Sequence, residues 1–465
     1  MKRLALVLAL VLVATLLVAC PAPVPEVVER EVQVTVEVEV EKEVIVTPTP
    51  VPPTPLPEAV TIHVMDWQSG GPAFWAKTDQ LFNESHPWIT VEHEHVPYGQ
   101  YFDKVGAYLA AGEGPDLIQF ETGVSILKYA DALVPLNDHV QDILGDIGGA
   151  SAFCEGFDCS NKIYGVPHTN QGHMMYYNKK VFEEAGLDPD NPPVTWREFD
   201  EACQKIKDIG KACIAYGGKE WAATWSFCNL PHQVASHEEQ LGLLTGESRW
   251  DELPLQNTIA LFEDMVKRGW LQEGAAMTAV TPDAQDMFVR GDAGFFHSII
   301  SDAFNWKLWG DLMGYANFGV MKYPQIECDF PLEGVCPGPL STRMDLHGGI
   351  AFGVPTWSEN VEAAVQYIKF VVGPETQTRF LLEGGAVPAN QNFDQSVVTV
   401  AQFKTILEWM AEPDVVPPAA LYMPPEGWNE GIRQFQLLIL GETTVEAAAA
   451  AIEQAQEAGM AALPQ

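Results

Sequence analysis

Two histidines separated by one residue are the clearest candidates for metal chemistry in the sequence. His93 and His95 flank Glu94 in a segment, Ile89 to Val96, whose alternation of apolar and polar residues predicts a β-strand. Because alternate side chains of a strand point to the same face, the two imidazoles would lie side by side and could bind a metal ion. No third ligand stands at a fixed spacing from them. We therefore interpret the pair as part of a solvated strand face, and predict no metal site and no cofactor.

Known catalytic signatures are absent from the sequence. It has no glycine-rich dinucleotide-binding or phosphate-binding loop and no Gly-x-Ser-x-Gly nucleophile elbow. The nearest approach to a zinc-protease motif runs from His237 to Leu241, reads His-Glu-Glu-Gln-Leu, and lacks the second histidine. We therefore predict that the protein is not an enzyme.

Seven cysteines follow Cys20, and an odd number leaves at least one thiol without a partner in the chain. Two pairs stand close together and are predicted to form disulfides in an oxidising compartment: Cys154 with Cys159, and Cys328 with Cys336. The Cys-x-x-Cys spacing that favours a metal does not occur. The other three have no assigned partner, and we expect a buried free cysteine among them: Cys203, Cys213 and Cys228.

Segments with strand and helix patterns alternate from residue 60 onwards. Strands are predicted at Val60–Met65, Ile89–Val96, Asp116–Phe120, Tyr164–Pro167, Cys213–Tyr216, Ala293–His297, Ala316–Val320 and Gly349–Val354. Among the helices between them, Thr195 and Glu198 form a capping-box pattern, and Ser358 is predicted to cap another helix. Strands separated by helices predict parallel α/β sheets, in which ligands bind at the carboxyl ends of the strands.

The first twenty residues have the pattern of an export signal. Lys2 and Arg3 precede an apolar run from Leu4 to Ala19, which is too short to span a bilayer comfortably. The sequence Leu-Val-Ala-Cys that ends at Cys20 resembles a bacterial lipobox, and this resemblance implies cleavage after residue 19 and lipidation of Cys20. Several acyl chains on one residue would anchor the protein stably to a membrane. We predict a signal peptide at residues 1–19.

Residues 20–58 have the composition of a low-complexity stalk. Proline-rich stretches flank a Val/Glu alternation from Val32 to Val46, and proline opposes strand pairing. We favour a stalk over a self-assembling strand. The whole chain has 26 basic and 63 acidic residues, a net charge of −37, and no cluster of lysine or arginine. Because such a chain would repel a phosphate backbone, we predict no nucleic-acid partner.

A series of short motifs runs through the sequence after residue 60. The central ones are Tyr-Gly-Val-Pro from Tyr164, Tyr-Asn-Lys-Lys-Val-Phe-Glu-Glu-Ala-Gly-Leu from Tyr177, and Pro-Val-Thr-Trp-Arg-Glu-Phe from Pro193. Later ones are Arg-Gly-Asp-Ala-Gly-Phe from Arg290, Gly-Gly-Ile-Ala-Phe-Gly-Val-Pro from Gly348, and Gly-Ala-Val-Pro-Ala from Gly385. In this order the motifs resemble those of family 1 extracellular solute-binding proteins, the sugar-binding components of ABC importers. Each motif is weak alone, but their order is specific to the superfamily, although not to one ligand.

The resemblance implies an α/β fold of the type II periplasmic-binding-protein class, with two lobes, a hinge and a central ligand cleft. The N-lobe would comprise residues 59–168 and 350–400, and the C-lobe residues 172–347 and 401–465. Ligand would close the lobes about the hinge and bury itself between them.

The resemblance and the chemistry of sugars together imply which residues line the cleft. Sugars offer hydroxyl groups to planar polar side chains and C–H faces to aromatic rings. Candidates on the N-lobe side and in the first crossing segment are Trp67, Gln68, Glu121 and Gln171. Candidates on the C-lobe side and before the second crossing are Trp221, Trp225, Trp428, Arg343 and His347.

The function that the resemblance implies is capture of a sugar or oligosaccharide outside the cell and its delivery to ABC permease subunits. The protein would act as a monomer, anchored through Cys20 to the outer face of the cytoplasmic membrane, at the cell surface or in the periplasm. Two alternatives stay open. One is a binding protein for a polyamine or a glycerol phosphodiester. The other is an exported carbohydrate-active enzyme, which would need two carboxylates about 5–10 Å apart.

Overall fold

The computed structural model describes residues 58–67, 70–148, 162–300, 306–340, 344–412 and 415–463, without the side chains of residues 221, 224 and 306–308. The predicted signal peptide, Cys20 and almost the whole of the predicted stalk lie outside these residues. So do four candidates: Gln68, Arg343, Cys154 and Cys159. Among the described residues, no helix combines the length and apolar character needed to cross a bilayer.

Twelve strands and sixteen α-helices run through the described residues. The strands are β1 Val60–Asp66, β2 Ile89–His95, β3 Leu117–Glu121, β4 Val166–Pro167, β5 Thr169–Gln171, β6 His173–Asn178, β7 Ala212–Ala215, β8 Ala293–Ile299, β9 Phe318–Met321, β10 His347–Gly348, β11 Ile350–Gly353 and β12 Val387–Pro388. The helices are α1 Pro72–Ser85, α2 Tyr98–Ala111, α3 Val124–Leu127, α4 Asn137–Val140, α5 Lys179–Glu184, α6 Trp196–Asp208, α7 Ser226–Val234, α8 His237–Leu241, α9 Gln256–Lys267, α10 Gln285–Arg290, α11 Trp306–Met313, α12 Val361–Val371, α13 Pro374–Arg379, α14 Ala401–Met410, α15 Pro425–Leu440 and α16 Val445–Ala461.

The first sheet has the strand order β2-β1-β3-β11-β4. β1 is parallel to β2 and β3, as the alternation of strands and helices predicts. β11 is antiparallel to β3 and β4, so the prediction of a wholly parallel sheet is wrong. The reason is that β11 returns after an excursion of more than 180 residues, and no short helical crossover fixes its direction.

The second sheet has the strand order β7-β8-β6-β9 and is also mixed. β7 is parallel to β8, whereas β6 is antiparallel to both of its neighbours. Its core is separate from that of the first sheet and is built on large aromatic side chains such as Trp196, Phe199 and Trp270. Helix α6 begins with the predicted capping box, because the Thr195 hydroxyl accepts from the Glu198 N–H and the Glu198 carboxylate accepts from the Thr195 N–H.

A third, small sheet of order β10-β5-β12 lies where the chain passes between the other two. β5 follows β4 of the first sheet and precedes β6 of the second, and β10 leads directly into β11. Gln171 pairs with His347, and Asn170 pairs with Val387. Antiparallel hydrogen bonds therefore join three separate passages of the chain at this point.

Ser358 does not cap a helix, so that prediction is wrong. The Ser358 hydroxyl instead donates to the carboxylate of Asp116 at 2.6 Å, and the helix that follows has Asn360 at its N-cap. Asp116 is buried, and its carboxylate also accepts from the N–H of His63 at 2.9 Å. A buried carboxylate that lacks hydrogen-bond donors is costly. The Ser358 hydroxyl therefore donates to Asp116 and does not cap the helix.

Among the described residues, two disulfides join cysteines that are close in sequence. One links Cys328 to Cys336, and the other links Cys203 of α6 to Cys213 of β7. Cys228 is a free thiol, buried in α7.

The His93–His95 pair does not lie on a solvated strand face, so that interpretation is wrong. Only 5% of the His93 side chain is exposed, because helix α1 packs over this face of β2 and brings Trp75 to 5.2 Å from the imidazole, centroid to centroid. The nitrogen atoms of His93 face two carboxylates, those of Asp66 and Asp79. The sequence showed no third potential metal ligand beside the two histidines. In the structure, Asp66 of the neighbouring strand β1 lies beside them.

His168 is buried in the aromatic core beside the first sheet. Its ring stacks on Phe352 at 5.0 Å and lies 5.6–5.7 Å from Trp75 and Phe380, centroid to centroid. The Gln119 amide nitrogen is 3.3 Å from His168 Nε2 and donates to it. Burial lowers the pKa of His168 to about 3, so the folded protein holds this imidazole neutral.

We predict that stability falls as the pH drops from about 6.5 towards 3, because the unfolded chain protonates His168 and the folded chain does not. Each pH unit in this range would remove up to about 1.4 kcal/mol. Urea unfolding of the His168→Gln variant at pH 7, 5.5 and 4 should show a smaller loss than the parent protein. The exposed His63→Gln variant is the control and should keep the full loss. Equal pH slopes in all three proteins would contradict the prediction.

The first and second sheets are connected by a direct contact at Gly123. Its φ is +69°, and a Cβ atom there would clash with the carbonyl oxygen of Leu421, which lies in a 3₁₀ turn at Ala419–Tyr422. Leu421 itself packs against hydrophobic clusters of both sheets. Position 123 therefore requires glycine for two reasons: the positive φ angle and the close approach of the Leu421 carbonyl oxygen.

We predict that Gly123→Ala destabilises the protein by about 1–3 kcal/mol more than Gly112→Ala does. Gly112 has the same φ of +69° but nothing within 4 Å of its Cβ position, so the control carries the cost of the backbone angle without the clash. Chemical unfolding of both variants measures the difference. If both lose the same stability, Leu421 does not constrain position 123.

Candidate functional site

Aromatic and acidic side chains meet at the carboxyl ends of β1, β2 and β3. Trp67 follows β1, and its ring centroid lies 4.9 Å from that of Tyr101 and 5.9 Å from that of Tyr98. The backbone N–H of Trp67 donates to the side-chain oxygen of Gln119 at 3.2 Å. Glu121 ends β3, and its carboxylate accepts from the Tyr98 hydroxyl. The predicted residues Trp67 and Glu121 are thus brought together by the parallel strands that carry them.

The pKa values of Glu121 and Tyr98 are both raised, and this keeps the hydrogen bond between them. Burial raises the pKa of Glu121, and the hydrogen bond from Tyr98 opposes that shift only in part. Partial burial of the Tyr98 phenol and the nearby Glu121 carboxylate also raise the pKa of Tyr98, which therefore stays a neutral hydroxyl donor. Tyr98 is 40% exposed and Trp67 is half-buried, so both rings keep surface for a ligand.

A second wall comes from the start of helix α15. Glu426 lies there, and its Oε1 is 3.9 Å from the ammonium of Lys128, next to α3. Burial raises the pKa of Tyr129, and the charges of Glu121 and Glu426 raise it further, so Tyr129 stands within electrostatic reach of both carboxylates. Trp428, two residues into the same helix from Glu426, is half-buried against the core of the second sheet.

Gln171 and His347 face each other in the crossing sheet. Gln171 ends β5 and is half-buried, with its side chain beside Gly349. His347 is only 5% exposed, and its Nδ1 is 3.3 Å from the carboxylate of Asp345. In this structure His347 therefore contacts Asp345 and offers almost no surface to a ligand.

Trp225 is also largely withdrawn from solvent. It ends the 3₁₀ helix Trp221–Trp225, is 4% exposed, and lies 5.7 Å from the rings of both His173 and His297, centroid to centroid. The candidate Trp221 begins the same helix, but its side chain is outside the description. The structure therefore does not bring the two candidates Trp225 and Trp67 together. Trp225 lies instead beside the buried imidazoles of His173 and His297.

Sequence reasoning did not select Tyr98 or Glu426. A usable signal existed for Tyr98, because it follows β2 at the same carboxyl edge of the sheet as Trp67 and Glu121. No comparable signal existed for Glu426, since its place 3.9 Å from Lys128 depends on a contact between distant parts of the chain.

Comparison with known proteins agrees with this architecture. A family model described as bacterial extracellular solute-binding protein matches residues 77–405. Among curated relatives, the sn-glycerol-3-phosphate-binding periplasmic protein UgpB of Yersinia pestis bv. Antiqua (strain Antiqua) is 24% identical over 371 residues, which cover 76% of this chain and 78% of UgpB.

Solved structures show the same fold at low sequence identity. A chitin oligosaccharide binding protein has a TM-score of 0.74 and 22% identity, and the match covers 87% of this chain and 99% of that one. Maltose-bound MalE3 of T. maritima has a TM-score of 0.66 and 21% identity, with coverage of 86% and 99%. These matches confirm the predicted type II periplasmic-binding-protein fold. The family model spans more than two thirds of the sequence, and the chain belongs to the bacterial extracellular solute-binding proteins.

Proposed function

We propose that this protein captures a sugar or oligosaccharide as the solute-binding component of an ABC importer. The observation that carries the proposal is the half-buried Trp67 ring beside Tyr98, whose hydroxyl donates to the carboxylate of Glu121. An aromatic face packs against the C–H face of a sugar, while neighbouring oxygen atoms accept from its hydroxyl groups. The named ligands of two solved relatives, a chitin oligosaccharide and maltose, support the same class.

The charges of the two walls favour a neutral ligand over a phosphate. The curated relative UgpB is named for sn-glycerol 3-phosphate, a dianion near neutral pH. Here Glu121 and Glu426 would repel it, and the cation described beside them, Lys128, already faces Glu426. A polyamine would be attracted by these carboxylates, so it is the second ligand class to test.

The remaining candidates complete the proposed cleft. Trp428 would supply a ring from the C-lobe, and Gln171 would offer its amide from the crossing sheet. We retain as proposed ligand contacts the five residues whose side chains are buried here or outside the description: Gln68, Trp221, Trp225, Arg343 and His347. The lobes would comprise residues 59–168 with 350–400, and 172–347 with 401–465.

We also propose how the protein is held in place. Residues 1–19 would direct export, Cys20 would carry the lipid anchor, and residues 20–58 would hold the two lobes away from the membrane. The protein would then work as a monomer on the outer face of the cytoplasmic membrane and deliver its ligand to permease subunits without catalysis.

We predict that a neutral sugar or oligosaccharide raises the melting temperature, because ligand that binds only the folded state stabilises it. The measurement is a thermal-shift panel of monosaccharides, chitin and malto-oligosaccharides, sn-glycerol 3-phosphate and spermidine. Recovery of the stabilising sugar intact, by mass spectrometry, supports binding without catalysis. A shift with spermidine or glycerol phosphate alone would overturn the carbohydrate assignment, and released product would identify an enzyme.

We predict that Trp67→Ala weakens affinity for the stabilising sugar by about 10- to 100-fold, because the stacking face is lost, whereas Trp67→Phe keeps most of it. Calorimetric titration measures both. The matched control is Trp88→Ala, a half-buried tryptophan beside the amino end of β2 on the same sheet, which should bind normally. Equal losses in the Trp67→Ala and Trp88→Ala variants would place the ligand elsewhere.

A further inference from the structure

Asp66, His93 and His95 converge at the carboxyl ends of β1 and β2, beside the proposed sugar site and not part of it. The parallel register sets Asp66 opposite His95 and Val64 opposite His93. The two imidazoles lie on one face of the strand and stack at 4.6 Å, centroid to centroid. One ligand atom from each of Asp66, His93 and His95 lies within 4.8 Å of the other two.

The orientation of His93 is fixed from behind by a carboxylate. Its Nδ1 lies 3.1 Å from an oxygen of Asp79 on α1, and the other oxygen of Asp79 accepts from the hydroxyl of Tyr367. His93 Nε2 is buried, makes no hydrogen bond, and lies 3.4 Å from Asp66 Oδ2. Histidines that bind metals commonly donate their second N–H to a carboxylate in this way, which leaves the opposite nitrogen for the ion.

One edge of this cluster, between His93 and Asp66, has the spacing of a zinc site. Nitrogen and oxygen ligands stand about 2.0–2.2 Å from Zn²⁺, so neighbouring corners of a tetrahedral site are about 3.3 Å apart. The 3.4 Å between His93 Nε2 and Asp66 Oδ2 matches such an edge. The His95 side chain is 21% exposed, which gives the ion a route in and leaves a coordination position towards solvent.

We propose that Asp66, His93 and His95 bind a divalent transition-metal ion, with Zn²⁺ as the probe. Two imidazoles and one carboxylate form a donor set that zinc and its neighbours in the periodic table prefer over calcium or magnesium. The competing explanation is a charge network without metal, in which His95 Nδ1 donates to Asp66 Oδ1 at 2.6 Å. The two explanations differ in whether the protein takes up zinc at these residues.

The second group of metal-ligating side chains carries less weight. His173, Cys228 and Asp345 also lie close together, but all three are buried. The Asp345 carboxylate already accepts from His173 and faces His347. This group supplies a control variant for the experiment, since it contains the buried free thiol.

The test is zinc binding by the full-length protein after removal of bound metal with EDTA. Titration against a chromophoric zinc chelator should give one bound equivalent. The His95→Ala variant, at the most exposed of the three ligands, should weaken the affinity at least about tenfold. Cobalt substitution should give the intense visible absorption of a tetrahedral site in the parent protein and lose it in the variant.

Two control variants separate the proposed site from adventitious binding. His63→Ala removes an exposed histidine of β1, and Cys228→Ser removes the buried thiol of the second group; both should bind zinc with unchanged affinity. Failure to take up one equivalent of zinc would overturn the proposal. So would zinc binding that survives His95→Ala, or zinc binding that is lost only in Cys228→Ser.

Discussion

The carboxylate of Asp345 fixes the place where the chain passes between the two sheets. It accepts from the backbone N–H of His173 at 3.0 Å and from the ring of the same residue at 3.0 Å, and it lies 3.3 Å from the ring of His347. Although burial alone would raise its pKa, the two histidines hold the pKa well below its usual range. A fully buried charge would cost several kcal/mol without such partners. Gly172 allows this packing, because a Cβ there would overlap the carbonyl oxygen of Asp345. These contacts join β6 of the second sheet to the segment that leads into β10 of the crossing sheet.

The two walls are built in different ways. Trp67 and Glu121 stand on the ends of strands within one sheet, so their separation is set by the hydrogen bonds between β1 and β3. Glu426 and Trp428 stand at the beginning of a helix that packs on the other sheet. The geometry of the first wall is therefore preorganised, whereas the distance between the two walls depends on how closely the two sheets approach. The glycine at position 123 limits that approach through its contact with the 419–422 turn.

Much of the fold was accessible from the sequence, because strand periodicity, capping residues and turn residues are local properties. The capping box at Thr195 and the strands β1, β3 and β8 are examples, whereas β6, at the centre of the second sheet, was not predicted. The features that sequence reasoning missed depend on partners distant in the chain. Ser358 satisfies the buried Asp116, and β11 runs antiparallel because it returns from the second sheet. Within the site, Trp67 and Glu121 were implied by the family resemblance, and the parallel strands β1 and β3 bring them together. The partners of His93 became visible only from the pairing of β1 with β2 and the packing of helix α1 over β2.

The two disulfides have a consequence for the order of events during maturation. They close segments of only 10 and 8 residues, Cys203 to Cys213 and Cys328 to Cys336. A short segment brings its two thiols together often even in an unfolded chain, because the entropy lost on closure grows with loop length. Correct pairing then requires neither the distant parts of the chain nor the completed core. Each pair can therefore form before the core is complete, whereas Cys228 is a free thiol that lies buried in α7.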